Sequence, residues 1–530
     1  MFSRSLAVAG LVISISLFLL TGFAFLDRPG IQTDEALIAR ALFPATGTEG
    51  LLGSNVPPMV MSYVGSFKAL LWKPVVALFT PSALTLRAPA VLLAAATVWL
   101  FFHLLARTLD YRAALIGAIL LATDPSYLFT SRYDWGPVVL QHVCLLGAMV
   151  ALVHFYQRGR RLFLAGGFLL LGLGVWDKAL FLWSIASLAI ATAVVFPYHL
   201  KKVLGLRNVV VAVLSFCAGA FPFLQYNVEN GWITFRENTA IEKPAVADKA
   251  RVLRVTIEGS GLFGFFFRED SEAAATGTAN LIEKAVVAFN DAVKRPRRTL
   301  SGYLLLACAL LLPAVWRTPA RAAVLFSLLF SLATWLQMLL VRGTGGGIHH
   351  TILLWPVLLI APAATLASIS RLRWLGGPLL APVAVVAAVA SNLLVTSTYL
   401  SHLIRNGGKP TWTEAIYPAA ETLSKMDAPY IDIYDWGLWD NLWFLTSGQI
   451  RLRYSPVHTT PAEVAALAQI FENDPIFVGF VDGSEMFPEV NRRLNEVAAS
   501  FGYVVSDRQT FLDSHGRPVI QALRFRRQSP

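Results

Sequence analysis

The sequence predicts an α-helical protein that crosses a membrane about eleven times and carries a C-terminal α/β domain. Of its 530 residues, 55% are hydrophobic and only 15% are charged, and the mean hydropathy is +0.57. Soluble domains carry about 25% charged residues, so this composition indicates an integral membrane protein. Apolar runs long enough to span a bilayer recur as far as residue 400, and the pattern then changes to alternating strands and helices.

Eleven apolar runs have about the 20 residues that a membrane-spanning helix needs. The predicted spans lie near residues 5–26, 86–106, 113–129, 138–156, 162–176, 178–197, 208–227, 300–316, 322–341, 349–369 and 376–400. The first run has no charge between Ser5 and Phe25 and no obvious small-residue cleavage site. We therefore expect a retained helix rather than a cleaved signal peptide.

The basic residues predict how the chain lies in the membrane. The basic residues behind the net charge of +11 stand in small groups between apolar runs. This spacing indicates residues that orient the spans by the positive-inside rule rather than a nucleic-acid-binding surface. Alternate turns hold thirteen basic residues and one acid, Asp110. These basic residues are Arg4, Arg107, Arg112, Arg158, Arg160, Arg161, Lys201, Lys202, Arg207, Arg317, Arg321, Arg371 and Arg373. We therefore predict a multi-pass protein of the cytoplasmic (inner) membrane with a cytoplasmic N-terminus.

This orientation divides the chain into a transmembrane domain, residues 1–400, and an external (periplasmic) α/β domain, residues 401–530. Two long loops, 27–85 and 229–298, are then also external. Within loop one, the stretch Val60 to Phe79 is interrupted by Lys68 and Lys73. It predicts an amphipathic helix on the outer interface, with both lysines reaching toward headgroups.

Two strands and three helices are predicted in the C-terminal domain. Short runs of β-branched and aromatic residues at 430–434 and 475–481 indicate the strands. Helical patterns flank them at about 412–425, 461–472 and 487–500. The three cysteines, Cys144, Cys217 and Cys308, all lie in apolar runs without metal-ligand spacing, so we predict neither a disulfide framework nor a cysteine metal site.

Ionisable residues collect at the external ends of the spans. Charged groups at membrane depth are costly, so such a gathering predicts a functional site. The candidate residues are Asp34, Glu35, Arg132, Asp134, Asp177, Lys178, Arg342, His349 and His350.

Each group also has a purely structural interpretation. Asp34 and Glu35 are acids that a helix capped by Thr33 would favour in its first turn. If the other charges only stabilise the fold, Asp177 and Lys178 are expected to form a local ion pair in a tight turn. Arg132 is then expected to pair with Asp134. Two adjacent histidines alone are weak support for a metal, because a metal site needs further ligands.

Several motifs resemble the GT-C superfamily of membrane glycosyltransferases, in particular its protein O-mannosyltransferase and lipid A aminoarabinose transferase branch. The resemblance covers roughly residues 5–400. The motifs are Asp34-Glu35 in a long first loop, Pro57-Pro58 before an interfacial helix, Leu86-Arg87-Ala88-Pro89, Trp176-Asp177-Lys178-Ala179, and Phe221-Pro222 through Asn230-Gly231. The chain departs from the aminoarabinose transferase pattern at Asn55-Val56, where that pattern has Glu-Lys, so a metal or phosphate contact there does not carry over.

The resemblance implies an inverting transferase that moves a sugar from a polyprenyl-phosphate carrier to an envelope acceptor, whether lipid, glycan or protein. Asp34 would be the catalytic base, and Glu35 would orient Asp34, the acceptor or a divalent metal ion. Lys178 would bind the donor phosphate. Arg132, Arg342 and the histidine pair His349-His350 would assist it, with Asp134 and Asp177 as supporting residues.

Two other classes of function compete with the enzyme. A transporter or lipid flippase is one, but such proteins commonly show repeated halves and ionisable groups near the bilayer midplane, and we find no such repeat. A non-catalytic envelope protein is the other, and it would leave the paired acids and the lysine-bearing turn unexplained. The sequence therefore favours the glycosyltransferase, without identifying its sugar or its acceptor.

Overall fold

A computed structural model of the chain provides the architecture. It describes residues 3–44, 50–51, 54–241, 245–269, 280–341, 345–455, 467 and 469–528. Arg342 and most of the predicted helix at 461–472 lie outside these residues. The fold is predominantly helical as far as Asn406, and a sheet domain follows it.

The helices of the first 406 residues vary from one turn to eight. In chain order they are α1 (Arg4–Phe23), α2 (Thr33–Ala36), α3 (Ala39–Leu42), α4 (Phe67–Leu78), α5 (Ala83–Thr108), α6 (Tyr111–Thr123), α7 (Pro125–Tyr133), α8 (Val139–Arg158), α9 (Arg161–Asp177), α10 (Phe181–Val195), α11 (Pro197–Val203), α12 (Leu206–Gly219), α13 (Phe221–Glu229), α14 (Ile233–Asn238), α15 (Val246–Ile257), α16 (Leu281–Ala292), α17 (Ser301–Leu310), α18 (Leu312–Val315), α19 (Ala320–Leu340), α20 (Ile348–Thr351), α21 (Ile360–Ile369) and α22 (Gly377–Asn406).

Among the described residues, five helices are long and apolar enough to cross a membrane alone: α1, α5, α8, α19 and α22. Four more spans arise if bent pairs are counted as one each, namely α6 with α7, α10 with α11, α12 with α13, and Ile348–Leu354 with Val357–Ile369. The two remaining predicted spans coincide with α9 and the ten-residue α17. The exact count of eleven therefore stays a prediction.

Prolines explain the bends. The chain turns by 60° before α7, which begins at Pro125, and by 106° before α11, which begins at Pro197. Pro222 lies in the first turn of α13, and Pro356 precedes Val357 at the fourth bend. Because proline lacks an N–H and its ring clashes with the preceding turn, a helix breaks there and restarts.

Glycines bring α9 and α12 into backbone contact. A Cβ atom on Gly172 would lie 2.2 Å from the carbonyl oxygen of Phe216, and one on Gly219 would lie 2.3 Å from that of Leu169. Neither position accepts a side chain without moving the backbone. Small residues at such crossings are the usual means by which membrane helices approach closely.

Loop one folds onto the ends of the helices as α2, α3, a two-stranded hairpin and α4. The hairpin strands are β1 (Met59–Met61) and β2 (Val64–Gly65), so the interfacial helix begins later than the sequence suggests, at Phe67. The structure corrects the prediction for Lys68, which is buried rather than extended toward headgroups. Lys73, on the other face of α4, is exposed as predicted.

The C-terminal domain contains one mixed sheet. Its strands are β3 (Ile431–Ile433), β4 (Leu452–Tyr454), β5 (Ile476–Phe480), β6 (Tyr503–Leu512) and β7 (Pro518–Arg527), in the order β4-β3-β5-β7-β6. The first three strands are parallel, and β7 runs antiparallel to both of its neighbours. Among the described residues of this domain, helices include α23 (Ile416–Leu423), α24 (Trp439–Leu445) and Val490–Ser500. Both predicted strands are present as β3 and β5.

The sheet domain contacts loop one directly. The Gly30 N–H donates to the carbonyl oxygen of Trp412 at 2.9 Å, and the Tyr417 hydroxyl donates to that of Asp27 at 3.1 Å. A Cβ atom on Gly30 would lie 1.9 Å from the Thr413 carbonyl oxygen, so only glycine fits at this crossing. Helix α24 packs on both α2 and α3, which places the C-terminal domain beside the Asp34-Glu35 pair.

Candidate active site

Asp34 lies in the first turn of α2, whose start is stabilised by its own side chains. Gln32 is the N-cap, because its side-chain oxygen accepts from the Asp34 N–H at 2.6 Å. The Glu35 carboxylate accepts in return from the Gln32 N–H at 3.2 Å, which completes a capping box. The cap is thus Gln32, whereas the sequence suggested Thr33. Thr33 is the first helical residue, and its hydroxyl is free to bond elsewhere.

Glu35 anchors loop one to α5. The Arg87 guanidinium donates to both Glu35 oxygens at 2.7 Å, and both side chains are almost completely buried. The same guanidinium also donates to the carbonyl oxygens of Leu26, Pro29 and Gly30. A bidentate pair with every donor satisfied is the geometry that makes a buried ion pair tolerable. Glu35 therefore holds the chain on which Asp34 lies.

The Asp34 carboxylate contacts the turn that follows α7. Its Oδ2 accepts a hydrogen bond from Trp135 Nε1 at 3.2 Å. Burial raises the pKa of Asp34, and the nearby Asp440 charge raises this pKa further, whereas the Trp135 bond and the Lys178 charge lower it. A carboxylate whose pKa is raised and which still has a hydrogen-bonding donor beside it is typical of a proton acceptor.

The turn 131–137 supplies charges that the sequence predicted, but with different partners. Asp134 does not pair with Arg132. Its Oδ2 lies 2.6 Å from Lys68 Nζ, and its Oδ1 accepts from the N–H groups of Val138 and Val139. The backbone of Asp134 is left-handed, with φ of 45°, which turns its carboxylate back onto the start of α8. Asp134 therefore fixes the turn that carries Trp135.

Arg132 is completely buried and faces loop one. Its guanidinium donates to the carbonyl oxygens of Ala24, Phe25 and Arg28. These bonds attach the end of α7 to the chain that leaves α1. A role for Arg132 at a donor phosphate stays a prediction, since its described hydrogen bonds all go to backbone oxygens.

Lys178 is positioned by the hairpin of loop one. Val64 and Lys178 form an isolated β-bridge, and the Ala179 N–H donates to the Tyr63 carbonyl oxygen at 2.9 Å. Lys178 Nζ donates to the Gly136 carbonyl oxygen at 2.5 Å, and its charge interacts with those of Asp34, Asp134 and Asp177. The described ion pairs do not include one between Asp177 and Lys178, so the predicted local pair is not formed. Two of the three ammonium protons remain available for an anion.

The histidine pair lies beside Trp135, whose indole N–H donates to Asp34. The His349 ring meets Trp135 edge to face with centroids 4.4 Å apart, and the His349 and His350 centroids are 4.0 Å apart. A Cβ atom on Gly136 would lie 2.6 Å from the His349 ring, so this glycine admits the imidazole to the turn. The histidines thus lie against the turn that carries Trp135 and Gly136, and their predicted assistance to a donor phosphate stays a prediction.

The described residues do not fit a metal ion. In the parts of the chain that the structure describes, no three His, Cys, Asp or Glu side chains are grouped closely enough to share one. Glu35 is bonded to Arg87, and the ammonium of Lys68 is bonded to the Asp134 carboxylate at the place where a cation would bind.

Two buried cations at the site escaped prediction as functional residues. The sequence pattern places Lys68 at the membrane surface and marks Arg87 only as part of a motif. A single arginine at the start of an apolar span is itself a signal, because such a charge needs a buried partner. Asp440 of the C-terminal domain was also missed, and no local pattern marks it.

Comparison with solved structures identifies the architecture. No family model and no curated sequence matches the chain. The structure of ArnT from Cupriavidus metallidurans bound to undecaprenyl phosphate superposes with a TM-score of 0.60 at 13% identity, over 98% of each chain. The Archaeoglobus fulgidus oligosaccharyltransferase in its apo form superposes with a TM-score of 0.51 at 15% identity, over 96% of this chain and 70% of the other.

The chain has the GT-C fold. Both similar structures belong to that superfamily, and the predicted helical membrane architecture with a C-terminal sheet domain is confirmed. At 13–15% identity the likeness extends to the fold, so the roles of individual residues rest on the geometry described above.

Proposed function

We propose that this protein is an inverting glycosyltransferase that moves a sugar from a polyprenyl-phosphate carrier to an acceptor on the external face of the membrane. The observation that carries the proposal is the pairing, in one buried site, of a carboxylate and an ammonium that contact no described counter-ion. These groups belong to Asp34 and Lys178, and they interact electrostatically across the site. The GT-C fold and the undecaprenyl phosphate bound by ArnT support this choice of donor.

In this mechanism Asp34 acts as the base. The acceptor hydroxyl gives its proton to the Asp34 carboxylate while its oxygen attacks the anomeric carbon of the donor. The bond from that carbon to the phosphate oxygen breaks on the opposite face, so the configuration inverts. The electron pair leaves with the polyprenyl phosphate. The Trp135 N–H holds the carboxylate in line, and general-base catalysis of this kind contributes about 10²- to 10⁴-fold.

Lys178 serves the leaving group. A phosphate monoester anion needs positive charge rather than a general acid, because it is already stable when it departs. The ammonium retains free N–H donors after its bond to Gly136. Arg342, which lies outside the described residues, is proposed as a second cation for the phosphate.

The test uses membranes from cells that express the full chain, supplied with polyprenyl-phosphate-linked hexoses and pentoses. Donor consumption and label in lipid, glycan and protein fractions are measured. Asp34→Asn is expected to lower transfer by about 10²- to 10⁴-fold. Asp27→Asn is the matched control, because Asp27 is an exposed acid of the same loop. Full transfer by the Asp34→Asn protein would contradict the assignment.

A flippase or transporter remains the alternative that this assay separates from an enzyme. Such a protein would move the lipid-linked sugar between leaflets without breaking the bond to phosphate. The donor would then be recovered intact from wild-type membranes, and Asp34→Asn would not change its total amount.

A further inference from the structure

The C-terminal domain reaches the turn of loop one that carries Asp34. The Thr33 hydroxyl donates to Asp440 Oδ2 at 3.1 Å, and the Asn441 side-chain amide donates to the Ile31 carbonyl oxygen at 2.9 Å. Both contacts come from the first turn of α24, which follows strand β3. The residue that precedes Asp34 is therefore held from outside the membrane-spanning part of the chain.

Asp440 is a buried carboxylate with three side-chain donors. In addition to Thr33, Arg40 Nε donates to Oδ1 at 2.6 Å and Arg40 Nη2 donates to Oδ2 at 3.0 Å. Asp440 is 4% exposed, and the guanidinium of Arg40 also lies over the Trp439 ring. One carboxylate thus joins helix α24 to both α2 and α3.

We infer that Asp440 is a positioning residue that aligns Asp34 for proton transfer, an inference that rests on the proposed function. Two anchors hold the short helix α2. The ion pair of Glu35 with Arg87 fixes one side to α5, and Asp440 fixes the other side through Thr33. Asp34 lies between these two attachments in the sequence. The contacts of Thr33 and Glu35 therefore direct the Asp34 carboxylate at Trp135.

The charge of Asp440 also acts on Asp34 directly. The groups that face Asp34 are Lys178 from the end of α9, Tyr63 from the hairpin and Asp440 from α24. Burial raises the pKa of Asp34 most, and the Asp440 charge adds to this rise. Replacing Asp440 by a neutral residue should therefore lower the pKa of Asp34 as well as loosen its helix.

The chain contains a matched control for this contact. Asp432 accepts from Arg453 Nε at 2.6 Å, from Arg453 Nη2 at 3.0 Å and from the Ser455 hydroxyl at 2.5 Å. It is a buried aspartate with one arginine and one hydroxyl, like Asp440, but it lies within the sheet. Asp432→Asn therefore reports what the loss of such a cluster does to the stability of the domain alone.

The experiment compares Asp440→Asn, Thr33→Val and Asp432→Asn in the transfer assay with the donor that the wild-type protein consumes. Asp440→Asn is expected to lower turnover by about 10- to 100-fold with an unchanged KM for the donor. The acidic limb of its pH–rate profile should move to lower pH. Thr33→Val removes the hydroxyl alone and should lower turnover in the same direction, whereas Asp432→Asn should keep wild-type turnover.

Asp440→Glu keeps the charge and should restore the wild-type acidic limb. Equal turnover in the Asp440→Asn and Asp432→Asn proteins, or an unmoved acidic limb, would overturn the positioning role. If Asp440→Asn does not fold, wild-type turnover in the Thr33→Val protein would overturn it instead. A wild-type protein that transfers no sugar would contradict the proposed function itself. If the Asp34→Asn protein loses transfer and the Asp440→Asn protein keeps it, only the role of Asp440 is contradicted.

Discussion

At the scale of single residues, some of the described buried charges around the site are matched by an ion partner, and others, Asp34 and Lys178 among them, are not. Glu35 is bonded to Arg87 and Asp134 to Lys68. Burying an ion without a partner is expensive, so such pairs are what a fold alone would require. Asp34 and Lys178 have no counter-ion within 4.0 Å among the described residues. Their placement is better explained by an acceptor hydroxyl and a phosphate than by stability.

The raised pKa of Asp34 predicts an acid-sensitive enzyme. The base must be ionised to accept a proton, and burial raises the pKa of Asp34 above its ordinary value of 3.8. Activity should therefore be present above this raised pKa and be lost as the pH falls through it. The measurement is kcat/KM for the donor between about pH 4 and pH 8, which reports the free enzyme. A rate that stays constant down to about pH 4 would contradict the prediction.

Removal of the Lys178 ammonium should weaken donor binding. Lys178→Ala leaves the fold of the turn in place, because the β-bridge to Val64 uses only the backbone. The affinity of the purified protein for undecaprenyl phosphate should fall by about tenfold or more, since a charge-assisted bond contributes about 1.5–3 kcal/mol. Binding is measured by titration in detergent, with Lys73→Ala as the exposed control. An unchanged affinity would remove Lys178 from the phosphate site.

At the scale of elements, the site depends on how loop one packs on the helix ends. The hairpin of β1 and β2 supports the Lys178 turn, and α4 delivers Lys68 to the Asp134 turn. The Trp176 indole N–H donates to the Pro58 carbonyl oxygen at 2.9 Å, which joins the hairpin to the end of α9. Loop one thus positions residues of the site as well as connecting two spans.

This packing predicts a large cost for removing Lys68. Lys68→Met should lower the free energy of unfolding by about 3–5 kcal/mol, because it leaves the Asp134 carboxylate buried and unpaired. Lys73→Met on the exposed face of the same helix should change it by about 0.5 kcal/mol or less. Thermal unfolding of the purified proteins measures both. The double variant Lys68→Met with Asp134→Asn should recover part of the loss, and equal stability of the two lysine variants would contradict this account.

At the scale of the whole molecule, the helical part, loop one and the sheet domain all contribute residues to the surroundings of Asp34. The C-terminal domain lies against α2 and α3, so the face that carries it also carries Asp34. The predicted orientation places this face outside the cytoplasm. That prediction is independent of the chemistry and can be tested separately.

Cysteine labelling tests the orientation. In a Cys217→Ser background, Ser500→Cys on the sheet domain should react with a membrane-impermeant maleimide in intact cells. Arg160→Cys, between α8 and α9, should react only after the cells are permeabilised. Both positions are exposed, whereas Cys144 and Cys308 are buried. The reverse labelling pattern would contradict the assignment that the basic turns support.

The sequence by itself determined the membrane class, the helical part of the fold and the strands β3 and β5 of the sheet domain, because hydrophobic runs and strand patterns are local signals. It also located Asp34 and Lys178, since ionisable residues are conspicuous in an apolar chain. Only the tertiary structure decided which charged side chains bond to each other and which do not. Lys68 with Asp134, Arg87 with Glu35, and Asp440 with Thr33 and Arg40 are contacts between distant segments. Such pairs depend on how the helices pack, and no local pattern encodes them.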